Sequence, residues 1–297
     1  MTTIFRYALA RFRGLIFGWG LALFLLSILS VARYDIMREN QETIRQILQG
    51  SVGQFVALFG DPTRLMTPGG FLSLAFFSYL PLILGVFAVL AGSGLLVADE
   101  ENGTLDLVLA HPVSRTALFL GRLLALAVAT VAILALSWLG FVVAMNWSTL
   151  DVGWWAMARP FVSLLALLFF FGGLALLLSM TLPSRRLAAM WAGMVLVGSF
   201  FLTTLARLDT SLEPVARVSP VSYYQSGEAV EGLNGSWLAG LLGTAGLFTA
   251  LAWWRFQRRD IRVVGEGGWR WPLVRGPGFT RTKLPFSLRN LRTQAKK

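Results

Sequence analysis

The sequence predicts an all-α integral membrane protein with six transmembrane helices, and three observations carry that prediction. Only 14% of residues are charged and 56% are hydrophobic, against about 25% charged in an average soluble domain. The apolar residues are gathered into six runs, Leu15–Ala32, Phe71–Ala98, Thr116–Met145, Phe161–Leu182, Leu187–Ala206 and Ser236–Trp254. Such runs match the roughly 20 helical residues that cross about 30 Å of hydrocarbon. Lipid offers the backbone no hydrogen-bond partner, so a spanning segment must be a helix or belong to a closed barrel, and alternating strands of about ten residues are absent from the sequence.

Taken in order, residues 1–14 form a basic amphipathic segment, Ile4 to Arg13, ahead of the six-helix domain at 15–254. Arg11 and Arg13 before an apolar run ending in Ser30-Val31-Ala32 give the outline of a signal peptide. The run exceeds the usual length of about 7 to 15 residues, so an uncleaved signal anchor is the reading. In the polar stretch from Arg33 to Gly70, Ile36, Ile44, Ile47, Leu48 and Val52 are spaced for short amphipathic helices outside the membrane. Pro81 predicts a kink in the second span. Ala88 and Gly92, and likewise Ser236, Gly240 and Thr244, have the four-residue spacing that lets helices approach closely. Residues 255–297, rich in Gly, Pro and Arg and without helical periodicity, read as a mobile basic tail.

Sidedness follows from the positive residues, which stay on the cytoplasmic side. Six spans put both termini on one side, together with 19 of the 26 lysines and arginines, from Arg6, Arg11 and Arg13 through Arg115, Arg122, Arg185 and Arg186 to the tail. Both termini are therefore expected in the cytoplasm. Trp147, Trp154, Trp155 and Trp237 then fall at the outer interface, and Trp253 and Trp254 at the inner one, as an aromatic belt requires.

Several chemistries are excluded. With no cysteine and a single histidine, His111, the chain has no disulfide framework and no multi-histidine or thiolate metal site. The interiors of the spans hold no Asp, Glu, Lys, Arg or His, with Arg122 near enough to an end to snorkel. Proton relays need such groups, so a proton-driven carrier is disfavoured, while sodium coupling through hydroxyls and carbonyls stays open. No nucleophile has a base beside it, and catalytic residues are expected to be none. The only lysines, Lys283, Lys296 and Lys297, lie in no phosphate-binding loop, so the chain is expected to bind no cofactor and to hydrolyse no nucleotide of its own.

The segment joining the second and third spans, Ala98 to Arg115, reads as a short helix. Asn102 or Thr104 can cap its start, Asp99, Glu100 and Glu101 suit the positive end of its dipole, and Pro112 ends it. Ser114 can cap the third span. Leu105, Val108 and Leu109 form an apolar stripe able to lie on the membrane surface or to fill a partner's groove.

Glu101-x-Gly103-Thr104-Leu105-Asp106 followed by Pro112-Val113-Ser114-Arg115 resembles the signature of the type-2 ATP-binding-cassette (ABC) exporter permeases. Val218-Ser219-Pro220 with Tyr223-Tyr224, and Arg258-Arg259-Asp260-Ile261, are similar to further stretches of that family, so the resemblance covers residues 1 to about 263. It implies a short cytoplasmic coupling helix between helices 2 and 3, seated in a groove of a separate cytoplasmic ABC ATPase subunit. Asp99, Glu101, Gly103, Thr104, Leu105, Val108, Leu109, Pro112, Val113, Ser114 and Arg115 would carry that coupling. It also implies a second permease subunit, as homodimer or heterodimer, ATP and Mg held on the partner ATPase, and a multi-pass place in a bacterial or archaeal cell membrane.

The flank and tail from Arg255 to Lys297 hold twelve basic and two acidic residues, +10 of the net +11, and the part after Gly265 has no counterpart in the family pattern. Each cation near an anionic leaflet is worth about 1 kcal/mol, so Arg255, Arg258 and Arg259, with Trp269 and Trp271 as anchors, are read as contacts to membrane lipids and not to nucleic acid. Two rivals stay open: a non-transporting membrane scaffold or assembly factor that docks a partner through the same loop, and a membrane enzyme built from polar groups inside the spans.

Overall fold

A computed structural model of the chain describes residues 2–48, 56, 64–65, 67–101 and 114–258. The chain divides into two units, Met1–Glu266 and Gly267–Lys297, and every described residue falls in the first. The described residues form helices and turns, with no strand among them. They build α1 (Thr2–Arg11), α2 (Arg13–Glu39), α3 (Gln41–Leu48), α4 (Pro68–Leu72), a π-helical turn (Ser73–Phe77), α5 (Leu80–Gly94) and α6 (Val97–Glu101). After these come α7 (Arg115–Met145), α8 (Trp154–Thr181), α9 (Arg185–Leu205), α10 (Glu213–Ala216) and α11 (Gly235–Arg258), with 3-10 turns at Thr210–Leu212, Pro220–Tyr223 and Gly227–Val230.

Five of these, α2, α7, α8, α9 and α11, are each long and apolar enough to cross a membrane, and α4 with its π turn and α5 make a sixth path bent by 44°. The bend has a chemical cause. Proline has no N–H, so Pro81 cannot donate to the carbonyl four residues back, that of Phe77. Ser78 turns both its N–H and its hydroxyl to the Ser73 carbonyl, at 2.8 and 2.6 Å. The hydroxyl of Tyr224 arrives from the 220–224 turn and donates to the Phe77 carbonyl at 3.2 Å, replacing the missing donor.

Two boundaries differ from the sequence reading. α2 continues past Ala32 to Glu39, because Asp35 on its last turns accepts hydrogen bonds from the Ser148 hydroxyl and from the N–H and hydroxyl of Thr149. α8 starts at Trp154, earlier than Phe161, and carries Pro160 inside it. Of the apolar positions expected on short helices in the first polar loop, Ile36 lies on α2, and Ile44, Ile47 and Leu48 lie on α3; Val52 is outside the described residues.

α8 is the central helix, packed against α5, α11 and α9, while α2 lies along α7. Gly92 is needed where α5 crosses α8, since a Cβ there would stand 2.3 Å from the Gly172 carbonyl oxygen. Among the described residues Ser236, Gly240 and Thr244 meet no helix in this way: all three are exposed, and open space surrounds Gly240. Beside the bend, Phe76, Phe77, Phe141 and Phe161 form an aromatic cluster, with ring centroids 4.9 Å apart for Phe76–Phe141 and 5.1 Å for Phe77–Phe161. Trp147, Trp154, Trp155 and Trp237 are exposed near one end of the bundle and Trp253 and Trp254 near the other, the distribution of interfacial anchors.

Candidate functional site: a charged collar at one end of the bundle

One end of the bundle gathers α1, the end of α5 with α6, the starts of α7 and α9, and the end of α11. Arg11 on α1 donates through Nη1 to Asp99 Oδ1 at 2.9 Å. Arg122, one residue from the end of the second turn of α7, pairs with the other carboxylate oxygen of Asp99 and donates through Nη1 to the Leu95 carbonyl at 3.0 Å. A single carboxylate thus ties three elements together. The sequence reading has Arg122 snorkelling to the surface; the structure instead buries it at 8% exposure, because Asp99 and a backbone carbonyl meet it inside. A buried charge is tolerable only with such partners.

Glu101, the last residue of α6, accepts a hydrogen bond from the backbone N–H of Arg185 at 2.9 Å. That N–H opens α9, where the first-turn donors lack intrahelical partners and a negative charge is favoured. Ser184 completes the cap by accepting from the Leu187 N–H at 3.3 Å. On the other flank, Ser114 caps α7 as expected, accepting from the Ala117 N–H at 3.2 Å. Arg115 reaches the carbonyls of Phe256 and Gln257 at the end of α11, at 3.4 and 3.3 Å, and the Gln257 amide donates to the Thr116 hydroxyl at 2.8 Å. A guanidinium on the last carbonyls of a helix suits the negative end of its dipole.

Four of the residues expected to carry coupling, Asp99, Glu101, Ser114 and Arg115, are therefore brought into one collar of side chains. Asp99 and Glu101, expected to serve the helix that follows them, reach across to α1, α7 and α9. Gly103, Thr104, Leu105, Val108, Leu109, Pro112 and Val113 lie outside the described residues. Of the expected lipid contacts, Arg255 and Arg258 sit on the last turn of α11, with the Arg258 guanidinium 4.5 Å from the centre of the Trp254 ring; Arg259, Trp269 and Trp271 are outside the described residues. Sequence reasoning missed the partners Arg11, Arg122 and Arg185. The available signal was that all three are basic residues within two or three turns of the same end as three acids.

Among the described residues no group of three or more His, Cys, Asp or Glu is placed to hold a metal ion. No curated protein matches the chain. A family model described as ABC-2 family transporter protein matches residues 13–261, well over half of the sequence. That match takes in every helix from α2 to α11 and the whole collar except Arg11. The chain belongs to the ABC-2 transporter family and is a multi-pass membrane permease component of an ABC transporter, whose family implies an ABC ATPase subunit as partner.

Proposed function

We propose that the protein is the membrane-spanning subunit of an ATP-driven exporter, moved by a separate cytoplasmic ATPase that docks at the segment 102–113. In this reading the collar faces the cytoplasm, and ATP and Mg reside on the ATPase. Two such subunits, identical or homologous, form the path for cargo. The observation that supports it is the collar itself: the residues on either side of segment 102–113 are pinned to other elements. Asp99 and Glu101 tie its near side to α1, α7 and α9. Ser114 and Arg115 tie its far side to α7 and α11. A push on that segment would reach several helix ends at once, as a rigid-body switch between two packings requires.

Because the chain has no cysteine, a single Leu105→Cys change offers a clean cross-linking handle. With the cognate ATPase co-expressed, cross-linking between this position and the ATPase is expected, together with cargo movement in proteoliposomes that depends on ATP. Gly103→Val should abolish stimulation of the ATPase while membrane insertion is kept. Normal transport by that variant, or absence of cross-linking in a complex that co-purifies, would overturn the coupling role. ATPase binding without cargo movement would favour the scaffold reading.

A further inference from the structure

Beside the collar, α1 and the first turns of α2 stand away from α5 and leave a cleft of about 920 Å³. Its walls are apolar, with Leu15 and Trp19 on α2 facing Val86 and Leu90 on α5. Leu15, Val86 and Leu90 are also exposed on the flank of the bundle, so the cleft opens sideways at the level of the hydrocarbon. Among the described residues its floor is charged: Arg11, Arg122 and Arg185 against the carboxylate of Asp99, with Glu101 on the Arg185 backbone N–H.

The three guanidinium groups are not equally engaged. Arg122 is held by Asp99 and the Leu95 carbonyl. Arg11 gives one nitrogen to Asp99 and leaves the rest of its fork exposed. Arg185 uses its backbone N–H on Glu101, while its guanidinium has no partner among the described residues. The absent side chain of Gly94 makes room for that guanidinium: a Cβ there would stand 2.9 Å from Arg185 Cζ and Nε. From Gly94 to Val86 the cleft follows α5 for about 12 Å, at 1.5 Å per residue.

We propose that this cleft is a binding site for one anionic phospholipid of the surrounding leaflet, with its phosphate against Arg185 and Arg11 and an acyl chain along Val86, Leu90 and Trp19. The charge surplus selects an anion, and the guanidinium fork matches phosphate oxygens. The apolar walls, open to lipid, select a tailed ligand over a free one. The lipid would fill the space between the N-terminal helix and the helix that leads into the collar. The site shares Arg11, Arg122 and Asp99 with the collar, but its occupancy does not rest on ATP coupling.

The test is native mass spectrometry of the full-length protein, purified in a neutral detergent and titrated with phosphatidylglycerol or phosphatidylcholine. One phosphatidylglycerol per chain is expected to be retained, and phosphatidylcholine to bind more weakly. Arg185→Gln should weaken phosphatidylglycerol about tenfold, the scale of a lost charge-assisted hydrogen bond. Leu90→Trp, which fills the tail wall and leaves the charges intact, should weaken it as well and decides the matter if Arg185→Gln fails to fold. Arg255→Gln with Arg258→Gln should leave it unchanged. Equal binding of the two lipids, wild-type binding in both cleft variants, displacement by inorganic phosphate at the lipid's own concentration, or a loss that follows Arg255 and Arg258 would overturn the assignment. No ATPase is present, so failure here is distinct from failure of the coupling role.

Discussion

The two ends of the bundle are held by different chemistry. At the collar, charged side chains do the joining: Asp99 between Arg11 and Arg122, Glu101 on the start of α9, Arg115 on the end of α11. At the opposite end the ion pairs of Arg64 with Glu228 and Glu231 are exposed, and the buried joining is done by neutral groups and backbone. The Tyr224 hydroxyl serves the broken helix, and the Gly227–Val230 turn lies directly on α4 and the π turn. A Cβ on Gly227 would stand 2.4 Å from the Ser73 nitrogen and 2.6 Å from the Gly69 oxygen. The preceding residue, Ser226, takes φ of 37°, in the left-handed region that L residues seldom occupy. The comparison teaches that one end is set by partnered charge, which fails when one member is removed, and the other by close backbone fit, which fails when a side chain is added.

The largest expected effect breaks the charged end. Arg122→Leu takes from buried Asp99 its buried partner, and breaking a buried pair from one side costs about 3–5 kcal/mol. Unfolding in mixed micelles should show a loss near the lower figure, and Arg122→Leu combined with Asp99→Leu should recover much of it. If the double variant is no better than the single, the pairing is not what holds this end.

Next comes the close fit at the other end. Gly227→Val adds a branched side chain where backbone already fills the space, for which overpacking costs of about 1–3 kcal/mol are typical. Gly92→Val should behave alike at the α5–α8 crossing. A variant of either with unchanged thermal midpoint would contradict the close approach.

A smaller change sharpens the comparison chemically. Tyr224→Phe removes the donor to the Phe77 carbonyl, and leaving that acceptor unmet costs about 1–3 kcal/mol. Burial pushes the Tyr224 phenol well above its ordinary value of 10.0. Its sign follows from linkage: above that ordinary value the unfolded chain sheds a proton that the folded chain keeps, so stability falls as pH rises. The decline in unfolding midpoint above the ordinary phenol value should be steeper in the wild type than in Tyr224→Phe, and parallel curves would count against the buried donor. The smallest effect is expected from Arg217→Ala, since the Arg217–Glu213 pair lies on the surface with side chains 75% and 61% exposed, a setting worth about 0.3–0.5 kcal/mol.

Much of the frame is legible in the residues. The six apolar runs coincide with five helices and one bent pair, since burying backbone in lipid leaves few alternatives to a helix. Ser114 caps α7 because a hydroxyl one residue before a helix needs nothing distant to act. Pro81 foretells the break because the lost donor belongs to the residue itself. The small-residue spacing, in contrast, marks Gly92 at a close approach and Gly240 where no described residue comes near, since spacing records that a helix can be approached and not that another helix is there.

The sequence by itself determined where helices form, which of them suit lipid, and which end collects positive charge, because each of these depends on residues near one another along the chain. Only the tertiary structure decided that Asp99 meets Arg11 and Arg122, that Glu101 caps α9, and that Tyr224 supplies what Pro81 withholds. Those pairings span 88 residues in the first case and 147 in the last. At such separations a partner is chosen by how the helices pack, and every helix end offers equivalent unmet donors or acceptors until packing brings one of them within reach.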